Sequence, residues 1–283
     1  MTVRDIDELA AGLARAGYLA DEGLATALFL AVRMSHPILL EGEPGVGKTE
    51  AAKALAVALD TRLVRLQCYE GLTATEALYE WNYPRQLLAI RLAEGRNDAV
   101  TEADLFTVDY LLPRPLLTAV EHPGPRPAVL LIDEVDRADD EFEAYLFELL
   151  AESTVSIPEL GTRRATYPPV AVLTSNRTRD LHDALKRRCL YHWIRYPSTE
   201  RVAEIVRLRV PGTATALADR IAAAVERMRS LDLTKPPGVA EAVGWAAALN
   251  ALTTSTLDAA LPAVLKYDED VVAVHAAGVL RDA

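Results

Sequence analysis

Four short strings in this chain combine residue types suited to phosphate chemistry. In the first, GEPGVGKT, the residues Gly42, Glu43, Pro44, Gly45, Val46, Gly47, Lys48 and Thr49 follow the apolar run ILLE and lead, through Glu50, into a helical pattern. Glycines let successive backbone N–H groups turn inward on an anion, and a helix start adds free amides and a favourable dipole. Lys48 can then reach the β- and γ-phosphates of a nucleotide, and the Thr49 hydroxyl can ligate Mg2+. In the second string, VLLIDEVD, an apolar strand ends in Asp133 and Glu134. Beside the first strand's end, Asp133 can hold the Mg2+ hydration shell and Glu134 can polarise a water for in-line attack on the γ-phosphate. That pairing points to hydrolysis rather than transfer to a bound acceptor.

The third string, VLTSNRT, delivers Asn176 from the end of another apolar run. A neutral amide there can orient the attacking water or sense the γ-phosphate without competing for metal. The fourth, KRRCLYHW, holds Lys186, Arg187 and Arg188 too far along the chain to meet the phosphate of their own loop. A guanidinium supplied by a neighbouring subunit would stabilise charge on the transferring phosphate, a contact worth about three to five powers of ten in rate. Arg188 is the first choice for that part and Arg187 the second. The acids Asp136, Asp139, Asp140, Glu141 and Glu143 read as first-turn residues of a helix, favoured by its dipole.

Elements of definite order must hold these residues together. Helical periodicity covers Ile6 to Arg15 and Asp21 to Met34. Five strand-length apolar runs follow, Pro37 to Leu40, Leu63 to Gln67, Ala128 to Asp133, Val170 to Ser175 and Tyr191 to Arg195, alternating with helical patterns such as Lys48 to Asp60 and Asp139 to Glu152. Such alternation predicts an α/β fold with a five-stranded parallel sheet flanked by helices. After Ser198 the pattern is helical throughout, over Thr199 to Arg209, Thr215 to Ser230, Gly238 to Leu249 and a C-terminal pair, with Pro211, Gly212, Pro236 and Pro237 at the joints. The expected division is an α/β nucleotide-binding domain over 1–197 and a small all-α lid domain over 198–283. Two excursions interrupt the scheme: the aromatic-rich Tyr69 to Arg85, and Thr154 to Pro169, whose alternation around IPELG signals a hairpin.

Composition limits the function classes. In 283 residues, 51% hydrophobic and 25% charged, 30 basic against 41 acidic side chains leave a net charge of −11. This balance opposes a general nucleic-acid binder. Cys68 and Cys189 carry no metal-ligand spacing and the five histidines are scattered, so zinc is not expected. The N-terminus lacks the apolar centre of a signal peptide, and the apolar stretches Leu24 to Val32 and Val271 to Leu280 are too short for a bilayer span. A cytoplasmic protein with no membrane association is expected.

In their order, and with a helical region behind them, the four strings resemble the AAA+ ATPases: Walker A at Gly42 to Thr49, Walker B at Leu130 to Glu134, sensor 1 at Asn176, and an arginine finger at Arg188 or Arg187. More narrowly, GEPGVGKTE, LQCYEGLTATEALYEWNYPRQLL, IPELGT and LTSNRTRDLHDALKRRCLYHW resemble the MoxR branch and, within it, the CoxD-like ATPases. The resemblance covers essentially the whole chain. It implies ATP and Mg2+ as ligands and a homo-oligomeric, usually hexameric, ring acting as an ATP-driven chaperone. It further implies a partner bearing a von Willebrand factor A domain and a client metalloenzyme. Tyr69 to Arg85 then matches the helix 2 insert and Thr154 to Pro169 the hairpin before sensor 1, both facing a client or the ring pore, with Trp81 and Tyr83 either gripping a client or packing the core. One departure stands out. Families of this fold often carry a sensor 2 arginine early in the third lid helix, whereas KPPGVAEAVGW has no arginine between Arg229 and Arg281, and Lys235 is the nearest cation. Two other readings fit the same motifs: an ATP-gated binding scaffold with little turnover, and a nucleic-acid-associated ATPase of clamp-loader or helicase type.

Overall fold

Side-chain caps fix the first two helices. Asp5 accepts the Glu8 amide at 2.8 Å and Asp21 the Leu24 amide at 2.7 Å, starting α1 (Ile6–Arg15) and α2 (Glu22–Met34). The computed structural model describes residues 3–96 and 99–280, apart from the Glu141 side chain; Arg281 and the end of the expected lid lie outside the described residues. β1 (Ile38–Glu41) leads through the glycine-rich loop into α3 (Lys48–Ala58), and β2 (Leu63–Gln67) follows. An inserted region then holds α4 (Ala74–Ala77), β3 (Tyr79–Trp81), α5 (Tyr83–Glu94), α6 (Glu102–Leu105) and β4 (Leu111–Pro113), with β3 and β4 paired antiparallel. The chain returns through α7 (Pro115–Val120) to β5 (Val129–Asp133) and α8 (Asp140–Glu152). The hairpin expected after Thr154 is present as β6 (Thr154–Ile157) and β7 (Gly161–Arg164). β8 (Val170–Ser175), α9 (Asp183–Lys186) and β9 (Leu190–Trp193) complete the α/β part.

The five expected strands form one parallel sheet in the order β2-β5-β8-β1-β9. Because side chains alternate along a strand, Val129 and Leu131 of β5 pack with α1, α2 and α3, while Leu130 and Ile132 pack with α7 and α8 on the other face. The connections leave β1 and β8 in opposite directions, and ligands of open α/β sheets bind at the carboxyl ends of such strands.

Within the insert, Trp81 is 6% exposed and meets Tyr79 and Phe106 edge-on, so it packs the core, whereas Tyr83 is 57% exposed. Only Gln86 of α5 is buried, leaving Leu87, Leu88 and Leu92 facing outward. The insert therefore extends well past Arg85, since β3 finds its partner strand at Leu111–Pro113.

From Ser198 onward the chain is helical: α10 (Thr199–Arg209), α11 (Thr215–Arg229), α12 (Val239–Ala251), α13 (Leu261–Val264) and α14 (Asp268–Ala276). These helices share a core of their own around Trp245, whose side chain is fully buried and whose indole N–H donates to the Leu257 carbonyl at 3.1 Å. Truncating such a residue removes its transfer energy and leaves a cavity. Trp245→Ala is expected to destabilise the protein by about 3–5 kcal/mol, read as a lower urea midpoint by circular dichroism, with Trp245→Phe losing a smaller part. An unchanged midpoint would contradict this placement of the core.

Candidate nucleotide-binding site

The loop after β1 adopts the backbone its glycines permit. Gly45 and Gly47 have φ of 81° and 97°, in the left-handed region, and Gly47 caps α3 without a side chain. Lys48 curls back beneath the loop and donates to the carbonyls of Gly42 at 2.6 Å and Glu43 at 2.8 Å. Burial holds its ammonium below the ordinary lysine value, outweighing the attraction of Asp136, Asp133, Glu134 and Glu41. Beside the loop opens a cavity of about 740 Å3, lined by Tyr18 and Leu19, by Ile194 to Ser198, and by Ile205, Val239 and Val243 of the helical region. Asp133, Glu134 and Asn176 line its sheet end. A volume of this size, lined by both apolar and charged side chains, suits a nucleotide.

The acids are held individually. Asp133 is buried; its Oδ1 accepts from Thr49 Oγ1 at 2.9 Å and Thr174 Oγ1 at 2.6 Å. Glu134 has φ of 55°, a strained conformation for a residue with a Cβ. Its amide donates to Thr174 Oγ1 at 2.9 Å, and its carboxylate accepts from Gln67 Nε2 at 3.1 Å and Arg137 at 3.2 Å. Thr174 thus ties β8 to both members of the acidic pair.

Two further acids depart from the sequence reading. Asp136 and Glu143, read from sequence as first-turn helix acids favoured by the dipole, are 2% and 1% exposed and hold partners distant in sequence. Asp136 Oδ2 accepts the amides of Asn176 at 3.1 Å and Thr178 at 2.8 Å together with the Thr178 hydroxyl at 2.8 Å. Glu143 pairs with Arg179 at 2.5 Å and accepts the His182 amide at 3.0 Å. Both acids therefore fix the segment that carries Asn176 toward the cavity and leads to Arg187 and Arg188. Those two arginines are exposed and do not line the cavity; Arg188 donates to the Ala184 carbonyl at 3.1 Å and lies over Phe147 at 5.0 Å.

On the opposite wall, the α12 start touches the glycine-rich loop. The Val239 amide donates to the Gly45 carbonyl at 3.0 Å, and a Cβ on Gly238 would come within 2.8 Å of the Gly45 Cα. Lys235 is exposed and supplies only its backbone amide, to Asp270 at 3.1 Å. The cation that reaches the loop is Arg229, at the end of α11. It pairs with Glu43 at 2.6 Å, donates to the Pro237 carbonyl at 3.0 Å and lies over the Tyr196 ring at 3.7 Å. Arg209 of α10 pairs with Glu50 at 3.2 Å. Sequence reading passed over Arg229 because it precedes the helix in which a lid cation was sought.

The residues present fit a magnesium nucleotide. Thr49 and Asp133 supply hard oxygens 2.9 Å apart, suited to Mg2+ directly or through its waters. Among the described residues no group of three or more His, Cys, Asp or Glu is arranged to hold a metal by itself. Phosphate oxygens and water would therefore complete the metal's shell. Burial pushes the Cys68 thiol up to about 12, helped by the neighbouring Asp133 charge, so it supplies no thiolate near neutral pH.

Asp136→Ala strips three donors of their acceptor at a buried site, a cost of about 1–3 kcal/mol for an unsatisfied group. Hydrogen exchange at the amides of Asn176 and Thr178 is expected to accelerate at least tenfold, by order of magnitude, while the α3 amides stay protected. Unchanged exchange at both positions would show that Asp136 does not hold this segment.

The sequence model of the AAA domain, dynein-related subfamily, matches residues 37–189, more than half of the chain. Among solved structures the fold is similar to RuvB of Thermotoga maritima. One single-substitution variant aligns with a TM-score of 0.50 at 19% identity, covering 86% of this chain and 66% of that one. A second variant gives 0.50 at 18%, covering 92% and 71%, and RuvB described as a Holliday junction branch migration motor gives 0.50 at 17%, covering 86% and 68%. The chain thus spans less than two thirds of the length of the first of these relatives, and at such identities the likeness is one of fold. No curated protein matches the sequence. With the matched segment running from β1 to the end of the KRRC turn, the chain belongs to the dynein-related subfamily of AAA domains.

Proposed function

We propose that the protein is an ATP-hydrolysing AAA+ ATPase of MoxR type, CoxD-like, that uses turnover in a homo-oligomeric, hexameric ring to remodel or mature a client. The observation that carries this reading is the Thr49–Asp133 hydrogen bond, which joins the glycine-rich loop to the acidic strand end across 84 residues of sequence. In it, Gly42 to Glu50 bind the phosphates, with Lys48 on the β- and γ-oxygens, and Thr49 and Asp133 hold Mg2+ and its waters. Bound Mg2+ neutralises charge on the phosphate oxygens. Glu134 accepts the proton of the attacking water, and Asn176 orients that water. The cavity closes between a nucleotide domain over 1–197 and a lid over 198–283, with Arg229 rather than Lys235 linking the lid to the loop.

The client and partner assignments rest on the family strings. A von Willebrand factor A domain protein and a metalloenzyme client follow from them, and the exposed Leu87, Leu88 and Leu92 of α5 offer a face for either. The net charge of −11 argues against a nucleic-acid substrate like that in the RuvB description. No helix of the described residues is long and apolar enough to cross a membrane; a cytoplasmic site of action is part of the proposal.

Arg187 and Arg188 serve the neighbouring subunit's phosphate in this reading. Arg188→Ala and Lys48→Ala proteins, each inactive alone, are expected to recover ATPase activity when mixed, because a shared interface can pair an intact loop with an intact arginine. Failure of every mixing ratio to recover activity, with mixed assembly verified, would contradict the shared site.

A further inference from the structure

β2 presents Arg65 and Gln67, two residues apart on one face, to the strand that ends in Asp133 and Glu134, with Gln67 level with Asp133 in the parallel register. The Arg65 guanidinium donates to Asp133 Oδ2 from Nη2 at 2.6 Å and from Nε at 3.1 Å, and it also bonds Gln67 Oε1. The other carboxylate oxygen already takes the hydroxyls of Thr49 and Thr174. Four donors on two oxygens use the full accepting capacity of a carboxylate. The Asp133 side chain is 3% exposed and that of Arg65 47%, so the counter-charge reaches inward from the solvent side.

Within the nucleotide-site reading, on which this inference rests, Asp133 is the carboxylate that a divalent cation approaches. Glu41, Glu134 and Asp136 all lie near enough to Lys48 to act on it together with Asp133, so four carboxylates share this end of the sheet. Such a concentration of negative charge attracts free divalent ions. A guanidinium on the outer oxygen of Asp133 offsets that attraction while leaving Oδ1 turned toward Thr49. Its planar fork also fixes the carboxylate's rotation, which a lysine does less well. We infer that Arg65 is a positioning residue whose charge keeps this acidic edge from retaining a divalent cation by itself, so that the metal is held only together with nucleotide phosphates.

Equilibrium binding tests the inference without recourse to turnover. Fluorescent ADP is titrated into wild type, Arg65→Gln and Arg65→Lys in EDTA, and Mg2+ is then titrated into each ADP-loaded protein. Metal-free ADP affinity is expected to agree within about twofold across the three proteins, whereas the half-saturating Mg2+ concentration falls about fivefold or more in Arg65→Gln, a one-unit charge effect on a divalent ion. Arg65→Lys, which keeps the charge, retains the wild-type value. An unchanged or higher Mg2+ requirement in Arg65→Gln overturns the inference. A second arm needs no variant: in wild type without added nucleotide, millimolar Mn2+ is expected to give no water-proton relaxation beyond that of the same Mn2+ in buffer, and tight Mn2+ binding overturns the inference. Absence of ADP binding by wild type would instead overturn the nucleotide-site reading, and tight Mn2+ binding by the nucleotide-free protein would still overturn the inference.

Discussion

Lys48 is buried together with the carboxylates of Glu41, Asp133 and Asp136 at the carboxyl end of the sheet, with the half-buried Glu134 beside them, and the surrounding structure is organised by the need to satisfy them. An ionised group out of water needs hydrogen bonds or opposite charges to offset its lost hydration, and each of these carboxylates has them on at least one oxygen. Glu41 takes Ser175 and Tyr191 with Arg177 at 3.6 Å; Asp133 takes Arg65 and two threonines; Glu134 takes Gln67 and Arg137; Asp136 takes the loop after β8. The partners come from several elements, Arg65 and Gln67 from β2, Thr174 and Ser175 from β8 and Tyr191 from β9, so these bonds join those strands to β1 and β5 near their carboxyl ends. The same bonds aim Thr49, Asp133, Glu134 and Asn176 at a single cavity.

The helical region meets the glycine-rich loop and the helix behind it through three close contacts. Arg229 on Glu43, Val239 on Gly45 and Arg209 on Glu50 all fall within nine residues of one another on the loop side. Each of these loop residues would shift if phosphate drew Lys48 away from the Gly42 and Glu43 carbonyls. In the proposed function, lid position and phosphate occupancy are coupled through this short backbone segment, where Gly238 packs closely on Gly45. A two-state element contacted by both partners is what such coupling requires physically.

Much of this was legible in the sequence. Asp5 and Ser198 are capping residues, and the helices behind them, Ile6–Arg15 and Thr199–Arg209, fall where periodicity places them. Uniformly apolar runs ending in charged or amide residues identified the strands and the residues they deliver. What escaped were residues that act through a partner distant in sequence. Arg65 lies 68 residues from Asp133 and Arg229 lies 186 from Glu43, and no local pattern distinguishes either from a solvated arginine. Asp136 was misjudged for a related reason: a helix-dipole explanation was locally sufficient, while the amides that bury it lie 40 and 42 residues on. The insert was seen only at its first end, because Leu111–Pro113 is too short and too polar in context to announce itself as a strand.

The central claim is that Glu134 performs the chemistry while the glycine-rich loop performs the binding. Parallel measurement of equilibrium ATP affinity and steady-state phosphate release in wild type and Glu134→Gln separates the two most directly. The account predicts ATP bound with affinity similar to wild type and turnover lower by about a hundredfold or more, the scale of losing a general base. Equal turnover in the two proteins would contradict it.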